Sequence, residues 1–308
     1  VALLEIIANL CAEAASVCRE QCAEQEALRE ENWSALLQEA FAQEQAGAQV
    51  LDVNVGVPGM FTQVYETKVT VDLKGTDPRV TSADVKEAFR KAAENLDDMP
   101  GVVIHSSPAW FMVDSGKKTL QPVGMKGRQM TAYISFVVGN RFFVDDINNR
   151  MADLGITVDG FFSTSAGEAM LYLSEEERDH TSVLIDMGYL NTEIIDVEGD
   201  AIIYHKMLDM GGGHITAALA DKLDITMDAA EEIKRQFVYG LETSGETYDV
   251  PETDDQKAVS FTREQVKPVI CEAVDAIAEE IKETINKDFT SLGNWSSVFL
   301  TGGGLSLN

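Results

Sequence analysis

Hydrophobic and polar positions divide the chain into segments of two periods. Over residues 1–46 Ala, Leu, Glu and Gln recur without an internal Gly or Pro, and Trp33, Leu36, Leu37, Ala40 and Phe41 form a stripe at helical spacing. One or two helices are predicted there, stopped by Gly47. Alternation then predicts strands over 49–57, ended by Pro58 and Gly59, and over 63–73. Thr81, Ser82, Ala83 and Asp84 open a predicted helix that reaches about 96: Thr81 can cap the free amides, and Asp84 lies at the positive end of the dipole. Strands are predicted at 102–106, 109–114 and 130–138, a helix at 145–154, a strand at 158–163 and a helix at 166–173. Three strands in series, 182–187, 192–197 and 201–208, lead into Gly211, Gly212 and Gly213 and a helix over 215–223. A helix over 227–239 precedes an acidic, turn-rich stretch, 242–256, expected to be a surface loop. Val266, Val269, Ile270, Val274, Ile277, Ile281 and Ile285 step by threes and fours, so a long amphipathic helix is predicted with Pro268 in or near its first turn. An apolar strand, 297–300, runs straight into Thr301, Gly302, Gly303 and Gly304.

Composition places this pattern in a globular α/β chain of 308 residues with 45% hydrophobic and 25% charged residues. Charge narrows its partners. With 24 Lys plus Arg against 52 Asp plus Glu the formal net charge is −28, a field that repels nucleic-acid backbones and anionic lipid heads. No nucleic-acid partner and no direct membrane contact are expected. No apolar run approaches the roughly 18 residues of a spanning helix, and a cytoplasmic location is expected. Cys11, Cys18 and Cys22 share one helical face and Cys271 stands apart, with no paired spacing, so buried thiols are expected rather than a metal or disulfide site. His105, His180, His205 and His214 have no zinc-type spacing either.

Three places join a strand to an abrupt glycine turn: Asp186, Met187 and Gly188; Met210 through Thr216; and Leu300 through Gly304. Glycine after a buried strand admits a phosphate or nucleotide ring to the backbone, and a helix N-terminus adds favourable dipoles. Their order, with Ala230, Glu231, Glu232, Ile233 and Lys234 between the second and the third, resembles the actin-like ATPases. Within them the chain is most similar to the FtsA family of bacterial cell division. Thr81 to Val85, Ile104 and His105 with Pro108, Val113 and Asp114, and Gln121 to Gly127 add to the likeness, which runs from about residue 50 to the end.

The resemblance implies an actin-like, ribonuclease H-like two-lobed fold with ATP and Mg²⁺ in the cleft and an inserted FtsA-type subdomain. It assigns 1–46 to a helical segment, 47–74 and 159–180 to the first lobe, 75–158 to the insertion and 181–308 to the second lobe, with 217–290 as its helical subdomain. It implies that Asp186 acts through magnesium and its water, and that Gly188 belongs to a phosphate loop. Gly211, Gly212, Gly213 and Thr216 match the loop leading to adenosine, Glu231 and Lys234 the helix that meets ribose and adenine, and Gly302, Gly303 and Gly304 the adenosine loop. The implied partners are further copies of the chain and the tubulin-like FtsZ, met through the insertion and the helical subdomain.

Departures from the family pattern shape the expected activity. The first phosphate loop has no counterpart, so the N-terminal part is expected to be incomplete or degenerate. Tyr189, Leu190, Asn191 and Thr192 stand where the family has Gly-Gly-Thr-Thr, and Thr164 stands near the position of the hinge carboxylate. The basic membrane-docking helix with which the family ends is absent from the sequence. Hydrolysis is therefore expected to be weak or absent. Two alternatives stay open: a non-catalytic actin-fold scaffold for division or pilus assembly, and a fragment of a pterin-dependent methyltransferase. The latter rests on residues 28–59, where Asp52 and Asn54 resemble the pterin-binding pair.

Overall fold

The structure, a computed structural model, describes residues 53–96, 99–240, 245–250, 259–289 and 297–305. The predicted N-terminal helices, their three cysteines and Asp52 lie outside these residues. The chain divides into two compact units: one comprises Val1–Arg178 and Val197–Tyr204, the other Asp179–Asp196 and His205–Asn308.

In the first unit, strand β1 (Val53–Val57) pairs parallel with β6 (Val158–Ser163), and Asn54 of the methyltransferase-like stretch sits in that pair opposite Gly160. A four-stranded sheet of order β2-β5-β3-β4 is built from β2 (Thr62–Asp72), β3 (Val102–Val113), β4 (Lys118–Thr119) and β5 (Gln129–Gly139). β2 pairs along its whole length with β5, so Thr62–Asp72, given to the first lobe by the sequence reading, belongs to this sheet. Helix α1 (Ser82–Ala93) covers one face through Ala88 and Ala92, packed with Val71, Phe111, Met130, Ala132, Ile134 and Phe136. Its capping box is the expected one: the Asp84 amide donates to Thr81 Oγ1 at 3.3 Å, and the Thr81 amide to Asp84 Oδ2 at 2.8 Å.

The other face carries Ala109, Trp110 and Tyr133 against Ala201 and Ile203. Because β5 is buried on both faces, its sequence reads as an unbroken apolar run rather than an alternation. The two strands expected at 102–106 and 109–114 are one, β3, whose register shifts between Val103 and His105 and between Pro108 and Trp110. Proline has no N–H for the ladder, and such irregularities flip the alternation and mimic a break. Helix α2 (Arg141–Asp153) begins four residues before the expected position, because Asn140 caps it through the Phe143 amide. After β6 come α3 (Thr164–Tyr172), capped by Ser163, and the short α4 (Glu175–Arg178), which periodicity did not show.

A second four-stranded sheet, of order β12-β7-β8-β9, contains β7 (Ser182–Met187), β8 (Thr192–Glu198) and β9 (Ala201–Leu208); all of it belongs to the second unit except Val197–Tyr204, the ends of β8 and β9 and the turn that joins them. Connections of four and two residues leave only antiparallel pairing for these three strands. The turn at Gly199 has φ 62°, and a Cβ there would stand 2.1 Å from the Ala109 carbonyl oxygen of the first unit's own sheet, with which the turn is grouped. Helices α5 (Gly212–Leu223), α6 (Met227–Gln236) and α7 (Arg263–Thr284) follow. α6 ends three residues short of the prediction.

The expected acidic loop contains half of a hairpin, β10 (Thr247–Val250) paired with β11 (Val259–Thr262), whose Tyr248, Val250 and Phe261 enter the helical core. That core also holds Ile215, Leu219, Ile233, Phe237, Val266, Ile270 and Ile277. Pro268 lies beyond the first turn of α7, where it withdraws a donor from the Glu264 carbonyl. Cys271 is half-buried rather than enclosed. Strand β12 (Ser297–Thr301) joins β7 in parallel, pairing Thr301 with Asp186.

Candidate functional site

All three glycine turns lie in the second unit and converge on the backbone of Met187 to Tyr189. A Cβ at Gly302 would meet Asp186 Oδ1 at 2.2 Å and the Met187 oxygen at 2.4 Å. One at Gly304 would meet the Gly188 oxygen at 2.4 Å, and one at Gly211 the same oxygen at 2.6 Å. Backbone packs on backbone here, which requires glycine irrespective of any ligand. Gly303 differs: it is exposed, and a side chain there would enter open space.

The amides at the start of α5 already have acceptors. Gly212 donates to the Gly188 oxygen at 2.9 Å, Gly213 to the Tyr189 oxygen at 2.6 Å and Gly211 to His214 Nδ1 at 3.1 Å. Thr192 Oγ1 ties the start of β8 to the Met210 carbonyl at 2.7 Å. His214, which its sequence spacing to other histidines left without a role, caps this helix. Its position three residues after Gly211 was the available signal.

Behind the glycines lies a buried polar network. Lys234, 6% exposed, donates from Nζ to the Gly212 oxygen at 3.1 Å and to Thr216 Oγ1 at 3.0 Å, and pairs with Glu231 Oε2 at 2.7 Å. Thr216 Oγ1 also donates to Glu231 Oε2 at 2.5 Å, and Arg235 Nε reaches Glu231 Oε1 at 3.1 Å. Burial opposes the Glu231 charge, but hydrogen bonds from Lys234 and Thr216 outweigh it and hold the carboxyl below its ordinary range. The pair is thus more than an exposed helical i, i+3 contact.

Asp186 is half-buried at the end of β7. Burial, and then the nearby Glu193 charge, push its pKa up. Carboxylate oxygen is the donor type that suits a hard divalent cation such as Mg²⁺. The raised value has a stability consequence. Ionising Asp186 costs more in the folded chain than in the unfolded one, so the penalty is absent below about pH 3.8, grows as pH rises through the folded value, and is then constant. Asp186→Asn is expected to raise Tm at pH 7, with the gain shrinking toward pH 4. Melting curves across that range check it; equal Tm values at pH 7 would contradict it.

This topology, an antiparallel meander joined on its first strand by a parallel strand that arrives after a set of helices, defines the actin-like class of fold. Two family models match. One described as "Cell division protein FtsA" covers residues 183–305, and one described as "SHS2 domain inserted in FTSA" covers 59–138, the region of the β2-β5-β3-β4 sheet. The FtsA of Streptococcus pneumoniae serotype 2 is 25% identical over 248 residues, 80% of this chain and 54% of that protein. The FtsA of Enterococcus hirae is 24% identical over 269 residues, 86% of this chain and 61% of that protein. Among solved structures, the PilM-PilN type IV pilus biogenesis complex aligns with TM-score 0.47 and 19% identity over 87% of this chain and 69% of that one. The chain belongs to the FtsA family of cell-division proteins. It spans a little over half the length of these curated relatives. Among the described residues no helix is long and apolar enough to cross a membrane.

Proposed function

We propose that this chain is a division protein of actin-like fold that binds an adenine nucleotide, with Mg²⁺ at Asp186, in the glycine-turn site of the second unit. Hydrolysis is weak or absent, and the nucleotide serves self-assembly and contact with an FtsZ-like tubulin homologue at the division site. The buried Lys234, Glu231 and Thr216 network carries this reading: it places a fixed charged pair beside three converging turns, where it can meet a sugar hydroxyl. Mg²⁺ would neutralise phosphate charge against the −28 field of the chain. Asp186 would hold its water shell, and Gly303 leaves room for the nucleoside. The inserted subdomain and the helices of the second unit are the surfaces proposed for protein contacts.

A scaffold without nucleotide is the second reading, favoured by the occupied amides of Gly211, Gly212 and Gly213. Thermal shift with Mg-ATP and Mg-ADP decides between them. Millimolar nucleotide is expected to raise Tm by the mass-action amount, and Gly303→Val, which adds bulk only to open space, to abolish the rise without lowering the unliganded Tm. No shift with either nucleotide would sink the nucleotide reading and leave the scaffold.

A further inference from the structure

The loop between β7 and β8 does more than lack the family's glycines. Its Gly188 and Tyr189 carbonyls are the acceptors of the Gly212 and Gly213 amides. The Tyr189 ring lies against Gly213, with Cε1 3.0 Å and Cζ 3.1 Å from where a Cβ would stand, and its centroid is 5.0 Å from Lys234 Nζ. One side chain therefore roofs the helix start and the buried ammonium together. The side chains at the tip of the loop are open to solvent: Leu190 is 70% exposed and Tyr189 is 42% exposed, and the turn is closed by the Gly188 amide on the Asn191 oxygen at 2.9 Å.

We infer that residues 188–191 form a gate supplying the site with its own internal ligand, and that Tyr189 sets the affinity for the nucleotide by competing for the α5 amides and for the face of Lys234. This rests on the reading of the second unit as a nucleotide site and adds what controls entry to it. Binding requires the two carbonyls to release the amides and the ring to leave Lys234. The apparent dissociation constant is then the intrinsic one divided by the open fraction, so a gate closed 90–99% of the time weakens binding about 10- to 100-fold. The aromatic cation contact and two backbone hydrogen bonds are of the size that maintains such a bias.

Isothermal titration of the full chain with Mg-ATP and with Mg-ADP, comparing the parent protein with Tyr189→Gly and Tyr189→Phe, tests this. Tyr189→Gly, which removes the ring and loosens the loop, is expected to bind at least about tenfold more tightly. Tyr189→Phe keeps the ring and is expected to match the parent within about twofold. Because Tyr189 is substantially exposed, truncation leaves the core filled, and circular dichroism verifies the fold. If Tyr189→Gly binds no more tightly than a parent that does bind, the gate is wrong and the nucleotide site stands. If Tyr189→Phe binds as tightly as Tyr189→Gly, the ring is not the cover and the inference fails. If none of the three binds at millimolar nucleotide, the nucleotide reading falls and the gate with it.

Discussion

Lys234→Met is expected to destabilise the second unit by about 2–4 kcal/mol, measured as the loss in urea unfolding free energy. The estimate follows from what remains after the ammonium is removed. Glu231 Oε2 keeps a hydrogen bond from Thr216 and Oε1 keeps Arg235, but its ion pair at 2.7 Å is gone and the Gly212 oxygen, which Thr216 Oγ1 also reaches at 3.2 Å, loses the Lys234 donor. Removing one member of a buried pair typically costs about 3–5 kcal/mol because the other charge is left behind. Glu231 is 22% exposed at its side chain and retains partners, which places the expectation lower. Methionine has the length of the lysine stem, so lost packing contributes little. A loss under about 1 kcal/mol would show that solvent screens the network.

Gly302→Ala is expected to cost about 3–5 kcal/mol, while Gly303→Ala, one residue away, is expected to change stability by less than about 1 kcal/mol. Gly302 has φ 101°, a region closed to L side chains, and its added methyl would also lie inside contact distance of a carboxylate and a backbone oxygen. Strain and overpacking then act together. Relief by moving the turn would pull Thr301 from its pairing with Asp186. Gly303 has neither a positive φ nor a neighbour within 4 Å. Similar melting temperatures for the two variants would show that the turn relaxes at no cost and that its glycine is dispensable.

The strands β7, β8 and β9 and helix α1 could be read almost residue by residue, because each announces itself locally. The strands are short, largely buried runs bounded by turns at Gly188 and at Gly199 and Asp200, and the Thr81 and Asp84 box marks one helix start. β3 reads as two strands in sequence because its bulges at Ile104 and Ala109 are stabilised by pairing with β5, a partner more than twenty residues away from them that no local window contains. The β10 and β11 hairpin was lost for a related reason: Tyr248 and Phe261 are core residues whose burial comes from helices α5, α6 and α7, while the residues around them are acidic and turn-forming. For the site, motif order identified the turns and the Glu231 and Lys234 pair. What motif order could not supply is who satisfies the α5 amides, since a backbone carbonyl has no signature in sequence and is offered equally by every residue of the loop.

The parallel pairing of β12 with β7 sets the order in which the site is assembled. The partners Ser297 and Ser182 are more than a hundred residues apart, whereas β8 and β9 meet across a two-residue turn. Bringing ends together over that span costs about 4 kcal/mol of chain entropy that local strands do not incur, and long-range parallel contacts form slowly. Gly302, Gly303 and Gly304 ride on the strand that closes this loop. The turn that completes the candidate site is therefore expected to be the last of its parts to arrive during folding, after β7, the loop that follows it and α5 have had time to close on one another.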